Sequence, residues 1–353
     1  MRRYFTLKVM KKLFTPSNSQ SLIQWRDILK QDVSELENLF YHQGSVTQSF
    51  ISDFSVKSEL IVMGKHFTTL NLQHLLTLLE NEKISSIQLF APEIIESVFV
   101  MRLALNAFPE SLKVKLDYFS KINQLDFALM EKFPDWSKPG LVLMDMDSTT
   151  IQIECIDEIA RLYGVGDQVS AVTALAMQGK LDFNQSLYTR VSKLAGAPVS
   201  ILKDVADNMP LMPGLLVLLK ALKATGWKVA IASGGFNYFA DRLKNDHGFD
   251  AAIANTLEIV DNQLTGKVVG EIVNASVKAR TLSELTDKFS LPMSQTVAIG
   301  DGANDLMMLQ ASALGIAIHA KPIVQEKAAV SLNHLDLQGA LCILSANNGA
   351  NWY

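Results

Sequence analysis

The chain has 353 residues, 48% apolar and 19% charged, which is ordinary globular composition and long enough for two domains with cores of their own. Its net charge of -4 offers no basic footprint for nucleic acid. Two cysteines far apart, Cys155 and Cys342, make no disulfide framework, and without a Cys/His cluster nothing points to zinc; the six histidines (His42, His66, His74, His247, His319, His334) are scattered.

The basic start, Met1 to Lys12, is interrupted by Lys8, Lys11 and Lys12 and is followed by no small-residue cleavage site, so a secretory signal is not expected. No acidic residue precedes Asp27, which leaves a transit peptide open beside a simple basic end. No apolar run approaches the roughly 20 residues of a membrane span. A reduced, cytoplasmic setting is expected.

A helical stripe of Leu22, Ile23, Trp25, Ile28 and Leu29 predicts a helix from Ser21 to Phe40. Strands are expected at Leu60–Met63, Ser86–Phe90, Ser97–Leu105 and Lys113–Phe119, with helices at Leu70–Asn81 and Gln124–Lys132 and a short one near Phe108. That order approximates a small ferredoxin-like α+β layer over residues 1–135. Phe133 to Gly140, with two prolines and a glycine, reads as the linker to a second domain over 136–353.

Leu141-Val-Leu-Met144 reads as a strand buried on both faces, and it runs straight into Asp145 and Asp147. In an open parallel α/β sheet, residues just past a strand's last apolar position face the ligand crevice. Two close carboxylates there repel unless a cation lies between them or one keeps its proton. Helices are expected at Ile156–Tyr163, Gln168–Gln178, Phe183–Ala195 and Ser200–Asn208, forming a lid over about 155–212 inserted into the sheet domain. Pro213 suits the first turn of a helix running to Ala224.

Strand and helix then alternate. Strands are expected at Lys228–Ala232, Ala251–Asn255, Thr296–Ile299 and Leu314–Ile318, and helices at Tyr238–Asn245, Ser276–Lys288, Asp305–Ala311 and Leu337–Leu344. A hairpin turns at Asp261-Asn262, and Asn347–Tyr353 is a tail. The fold class is α/β, a doubly wound parallel sheet with an inserted helical cap and an N-terminal α+β ferredoxin-like domain. Two more strands end as the first does. One runs into Ser233-Gly234-Gly235, where backbone N–H groups can approach an anion, and the other into Gly300-Asp301-Gly-Ala-Asn304-Asp305, with Lys278 on the helix between them.

Asp145-Met-Asp147-Ser-Thr149, Ser233-Gly-Gly, Lys278 and Gly300-Asp301-Gly-Ala-Asn304-Asp305 resemble, in order and spacing, the four signature motifs of the haloacid dehalogenase-like phosphatases. Within that superfamily, Asp145 to Glu158, Gly179 to Phe183 and Arg190-Val look like the branch that hydrolyses O-phosphoserine, the last step of serine biosynthesis. The resemblance covers Leu141 to Leu344. Some members of the family carry an extra N-terminal regulatory-type domain of ferredoxin-like topology, akin to an ACT domain.

The resemblance implies that Asp145 is the nucleophile and that Asp147 and Lys278 are catalytic. It further implies Mg²⁺ held by Asp145, the Asp147 carbonyl and Asp301, with Asp305 acting directly or through water. Ser233, Gly234, Lys278 and Asn304 would hold the phosphoryl group. Glu154 and Arg190 would hold the substrate's ammonium and carboxylate, and Met177 and Phe183 would close an apolar wall. The implied partner is the small molecule O-phosphoserine, with no nucleic acid and no membrane, and a homodimer stays open. Another small phosphate ester, transfer to an acceptor alcohol, or an inert phosphatase half behind an amino-acid-binding N-terminal layer also stay open.

Overall fold

A computed structural model of the chain describes residues 11–14, 38–42, 45–49, 54–84, 86–90, 92–177 and 180–346. The chain divides into two units, one of Met1–Phe133 with Leu332–Leu335 and Gly339–Tyr353, the other of Pro134–Ser331 with Asp336–Gln338.

In the first unit the strands are β1 (Lys11–Phe14), β2 (Asn38–His42), β3 (Ser45–Ser49), β4 (Ser58–Gly64), β5 (Ile87–Leu89), β6 (Glu93–Ile95), β7 (Val98–Leu105) and β8 (Asp126–Met130). Helix α1 (Thr69–Asn81) lies between β4 and β5, and α2 (Ser111–Asn123) between β7 and β8. β4 pairs antiparallel with both β7 and β8, and β5 pairs with the far side of β7. This is the ferredoxin-like order, extended past β5 by β2, β3 and β1. Leu72, Leu75, Leu76 and Leu79 of α1 and Leu112, Leu116 and Phe119 of α2 pack with Leu60, Val62, Met101 and Leu103 of the sheet.

The architecture agrees with expectation, but two of its elements are exchanged. Lys113–Phe119 is helical and Asp126–Met130 is a strand, the reverse of the sequence reading. Val114, Leu116 and Tyr118 alternate with polar residues and imitate a strand. The helix instead buries Leu112, Leu116, Phe119 and Ser120 at helical spacing and leaves Val114 71% and Tyr118 69% exposed. No helix forms at Phe108; α2 starts at Ser111. Of the helix expected from Ser21 to Phe40, residues 21–37 lie outside the described residues, and Asn38–Phe40 open β2. The basic start (residues 1–10) and the tail (347–353) also lie outside them.

The second unit begins with β9 (Leu141–Met144), followed by four helices, α3 (Cys155–Tyr163), α4 (Gly166–Met177), α5 (Phe183–Ser192) and α6 (Ser200–Asp207), then α7 (Leu215–Ala224). β10 (Lys228–Phe236), α8 (Asn237–His247), β11 (Ala251–Val260), β12 (Gln263–Val269), α9 (Ala275–Phe289), β13 (Thr296–Gly300), α10 (Leu306–Ala311), β14 (Leu314–Ile318) and α11 (Pro322–Lys327) follow. β15 (Val330–Leu332) and α12 (Leu337–Ser345), each divided between the two units, are the last elements. Helix α11 and strand β15 carry no periodic signal long enough to read from sequence. Helix α7 starts two residues later than expected, because Gly214, not Pro213, precedes it with φ 82°. A Cβ at Gly214 would lie 2.5 Å from the Gln338 nitrogen.

β14, β13, β9, β10 and β11 form one parallel array in that order, and β12 returns antiparallel on β11 through the Asp261-Asn262 turn, whose φ angles are 51° and 59°. β9, first in sequence, lies between β13 and β10. The chain passes from β9 to β10 on one side, whereas β13 on its other side leads away to β14, which makes the β9/β13 boundary the switch point where a crevice opens beyond the strand ends. Leu141, Leu143, Ala230 and Ala298 pack with Leu282 and Leu285 of α9 and Met308 of α10. The alternate residues Val142, Met144, Ile231 and Ile299 are equally enclosed, as continuous apolar strands require. Among the described residues no helix is long and apolar enough to cross a membrane.

In the first unit the fully buried Asp126 accepts the backbone N–H groups of Asn333 (2.8 Å), His334 (3.1 Å) and Leu335 (2.7 Å). Asp126→Ala strands those donors and is expected to lower stability by about 3 kcal/mol. Urea denaturation followed by circular dichroism checks this, and an unchanged midpoint contradicts it.

Candidate active site

Asp145 follows β9 immediately, and its N–H donates to the Ile299 carbonyl of β13 at 2.9 Å, which carries the ladder one residue past the apolar run. The chain then folds back sharply: the N–H groups of Thr150 and Ile151 both donate to the Met146 carbonyl (2.8 and 3.0 Å), and Ser148 takes φ 55°. Asp145 and Asp147 are thereby presented at the strand tip while the chain leaves for the cap.

Lys278, on α9, is fully enclosed, and its ammonium donates to Asp145 Oδ1 at 2.8 Å and Asp305 Oδ1 at 2.7 Å. Burial works against the charged amine, but the carboxylates of Asp145 and Asp305 outweigh it and hold the lysine above its ordinary range. Asp305 Oδ2 accepts the Gly302 N–H at 3.0 Å. A Cβ at Gly300 would sit 2.5 Å from Asp305 Cγ, so glycine is the residue that lets this carboxylate close on the strand end. Thr149 Oγ1 donates to Asp301 Oδ1 at 3.1 Å, tying the first strand tip to the third.

Asp145, Asp301 and Asp305 each offer an oxygen within 4.8 Å of the others, and theirs is the one such group found among the described residues. Three carboxylates, when ionised, exceed the one ammonium and would leave surplus negative charge in a buried space. An all-oxygen donor set of that charge fits a hard divalent cation. Burial, then the neighbouring Asp305, raises Asp145 well above the ordinary carboxylate range, with Lys278 pulling the other way. Burial, then Asp305 and Glu154, pushes Asp301 up to about 6. Burial, then Glu154, pushes Asp147 up to about 7, against a contact with Cys155.

The second strand tip closes the other side. Ser233 is buried, and its Oγ accepts the Gly235 N–H at 2.9 Å. A Cβ at Gly235 would come within 2.7 Å of Met146 Cε and 3.0 Å of Asp147 Oδ2, and one at Gly234 within 2.7 Å of Phe183 Cζ. The glycines thus let the backbone pack directly against the first motif and against the cap. Asn304 Oδ1 lies against Gly302 in the third strand's turn.

From the cap, Glu154 precedes α3 and accepts a hydrogen bond from Ser148 Oγ at 2.8 Å. Desolvation raises its carboxyl, while Ser148 and the Arg190 charge lower it. Arg190 Nε and Asp147 Oδ1 are both buried without a hydrogen-bond partner, a state that asks for a ligand. Met177 ends α4 and its side chain lies outside the described residues. The remaining residues singled out from the sequence lie around this crevice, each at a strand tip, on α9 or on the cap. Thr149 and the buried Asn255 were not marked by the sequence; Thr149 sits inside a motif already recognised, whereas an asparagine near a strand end reads as a turn former.

A haloacid dehalogenase-like hydrolase profile matches residues 139–312. The chain is 55% identical over 226 residues, 64% of its own length and 69% of the relative's, to a phosphoserine phosphatase of Vibrio cholerae. The chain belongs to the phosphoserine phosphatases of the haloacid dehalogenase-like hydrolase family. The unliganded crystal structure of a probable phosphoserine phosphatase from Vibrio cholerae superposes with a TM-score of 0.70 at 45% identity, covering 82% of this chain and 86% of that one. A structure described as a phospho-aspartyl intermediate analogue of phosphoserine phosphatase superposes at 0.56 and 40% identity, over 59% of this chain and 99% of that one. Family membership thus rests on both sequence and architecture, and the match includes all three strand tips.

The raised carboxyl of Asp301 sets a pH dependence. With no cation its folded-state value of about 6, against an ordinary 3.8, favours the protonated form, so its contribution to stability is full below about pH 4 and lost as pH rises through about 6. A bound cation reverses this by needing the carboxylate. Mg²⁺ is therefore expected to raise the melting temperature at about pH 7.5 and do little at about pH 5. Asp301→Asn should remove the gain, and equal stabilisation at both pH values contradicts it.

Proposed function

We propose that the protein hydrolyses O-phospho-L-serine to L-serine and phosphate in the cytoplasm, and that the second unit carries the chemistry. The observation that carries this is the pairing of a Lys278-held carboxylate, Asp145, with a second carboxyl two residues on, Asp147, whose pKa of about 7 lets it exchange a proton at neutral pH. The phospho-aspartyl analogue on a related chain supports the same route.

Asp145 attacks phosphorus and becomes an aspartyl phosphate, dividing one difficult displacement into two. Asp147 gives its proton to the departing serine oxygen, then takes one from the water that hydrolyses the acyl phosphate. Ser233 and the Gly234 N–H hold phosphoryl oxygens, Lys278 opposes the charge that gathers between carboxylate and phosphate, and Asn304 completes the contacts. Mg²⁺, which the Asp145 carboxylate, the Asp147 carbonyl and Asp301 would hold, with Asp305 directly or through water, supplies charge neutralisation between the carboxylates and the phosphate.

Substrate choice belongs to the cap, since the strand tips suit any phosphate monoester. Arg190, with its buried Nε unpaired, takes the substrate carboxylate, and Glu154 the ammonium. Phe183, whose ring lies against Gly234, supplies an apolar wall.

The test is Mg²⁺-dependent phosphate release from L-phosphoserine and from p-nitrophenyl phosphate, which lacks the amino-acid group. Asp145→Asn is expected to bring both to background. Arg190→Ala is expected to cut kcat/KM for phosphoserine about 100-fold and spare the other ester. Equal losses on both esters contradict the substrate assignment, and a fully active Asp145→Asn contradicts the chemistry.

A further inference from the structure

Asn255 lies on β11, next to the strand that carries Ser233-Gly234-Gly235, and is 1% exposed. Its Nδ2 donates to the Gly234 carbonyl at 2.8 Å, and its Oδ1 accepts the Val273 N–H at 2.8 Å. We infer that Asn255 is a positioning residue that sets the phosphate-holding geometry of the Ser233-Gly234-Gly235 turn and ties it to the segment leading into the Lys278 helix. This rests on the function proposed above.

The need for such a residue follows from the register of the sheet. β10 and β11 pair in step through Ala232 and Ile253, and the next pair is Phe236 with Asn255, so four residues of β10 advance against two of β11. The surplus at Ser233, Gly234 and Gly235 is pushed out of the ladder toward Asp147. A bulge of this kind leaves backbone groups without ladder partners, and the Gly234 carbonyl is one of them. Asn255 supplies the missing donor from the side chain.

The consequence passes through one peptide plane. No peptide bond among the described residues is cis, so the Gly234 carbonyl and the Gly235 N–H point in opposite directions within their shared plane. With the carbonyl fixed on Asn255, the Gly235 N–H is aimed at Ser233 Oγ, which it reaches at 2.9 Å. An oxygen that accepts there must send its own hydrogen elsewhere, which makes the Ser233 hydroxyl a donor toward an incoming anion.

The other end of the amide acts on the lysine helix. Val273 precedes Asn274, the residue that caps α9, and the Lys278 N–H donates to the Asn274 carbonyl at 2.9 Å. One amide therefore fixes the spacing between a phosphoryl-binding turn and the ammonium that faces the nucleophile. Both of its polar ends are used, so neither Asp nor Leu preserves both bonds: Asp keeps an acceptor for Val273 but sets an oxygen against the Gly234 carbonyl, and Leu keeps neither.

The experiment measures kcat and KM for L-phosphoserine, the inhibition constant of inorganic phosphate and the thermal midpoint, in the native protein and in Asn255→Asp, Asn255→Leu and Asn255→Ser, all with Mg²⁺. For folded variants the expected result is a fall in kcat/KM on the order of 100-fold and a weaker hold on inorganic phosphate, at least about tenfold, with Asp no better than Leu. Phosphate inhibition reads the turn without the chemical step, and a purely structural role would lower the midpoint and leave it unchanged. That outcome, or native constants in any folded variant, overturns the inference. Should Leu fail to fold, Ser, which is smaller and cannot span both partners, decides between the same two results. A native protein that neither hydrolyses phosphoserine nor binds phosphate overturns the proposed function, and this role with it.

Discussion

The enclosed ammonium of Lys278 is the constraint on which the site depends. Burying a cation costs several kcal/mol even after relaxation, and leaving one of its partners alone would cost more. Lys278 is tolerable because Asp145 and Asp305 meet it at 2.8 and 2.7 Å, and those two carboxylates are tolerable beside Asp301 because Lys278 is there. Each charge thus requires the others in place. The set acts as a registration device: a shift of α9 against the sheet would break both ion pairs at once. The residual negative charge then makes a divalent cation, and after it a phosphate ester, the natural completion of the cavity.

The sheet supplies what side chains alone could not. Because β9 lies between β10 and β13, the tip carrying Asp145 neighbours those carrying Ser233 and Asp301, though about 90 and about 155 residues separate them from it along the chain. Each tip departs from regular structure in its own way, by a tight reversal after Asp147, a bulge at Ser233 to Gly235, and a glycine turn around Gly300 and Gly302. At the second and third tips the departure works because a Cβ is missing where it would strike Phe183, Met146 or Asp305. The cap adds groups that the tips lack, namely the Arg190 guanidinium and the Glu154 carboxylate.

Much of this was legible in the sequence, for an identifiable reason. A run such as Leu141 to Met144 followed by two aspartates has few other uses than a buried strand feeding a site, and the same holds for the stretches before Ser233 and Asp301. The exchange of helix and strand between Lys113 and Met130 shows where pattern fails. There the apolar period is 2 in the segment that becomes helix, because Val114 and Tyr118 are exposed residues that happen to be apolar. Local alternation cannot distinguish an exposed apolar side chain from a buried one, and the tertiary core decides. The register slip at Ser233 to Gly235 was invisible for the same reason, since it exists only in the pairing of two strands. The residue that answers it, Asn255, was invisible as well.

The central claim is that Asp145 becomes covalently phosphorylated, and rapid acid quenching tests it most directly. Protein mixed with O-phospho-L-serine labelled with ³²P and Mg²⁺, quenched within milliseconds, digested and mapped, should carry the label on the peptide that contains Asp145. The label should be lost on alkaline treatment, as an acyl phosphate requires. Label on the Ser233 peptide, or turnover with no labelled protein at any quench time while product accumulates in an initial burst, would contradict it.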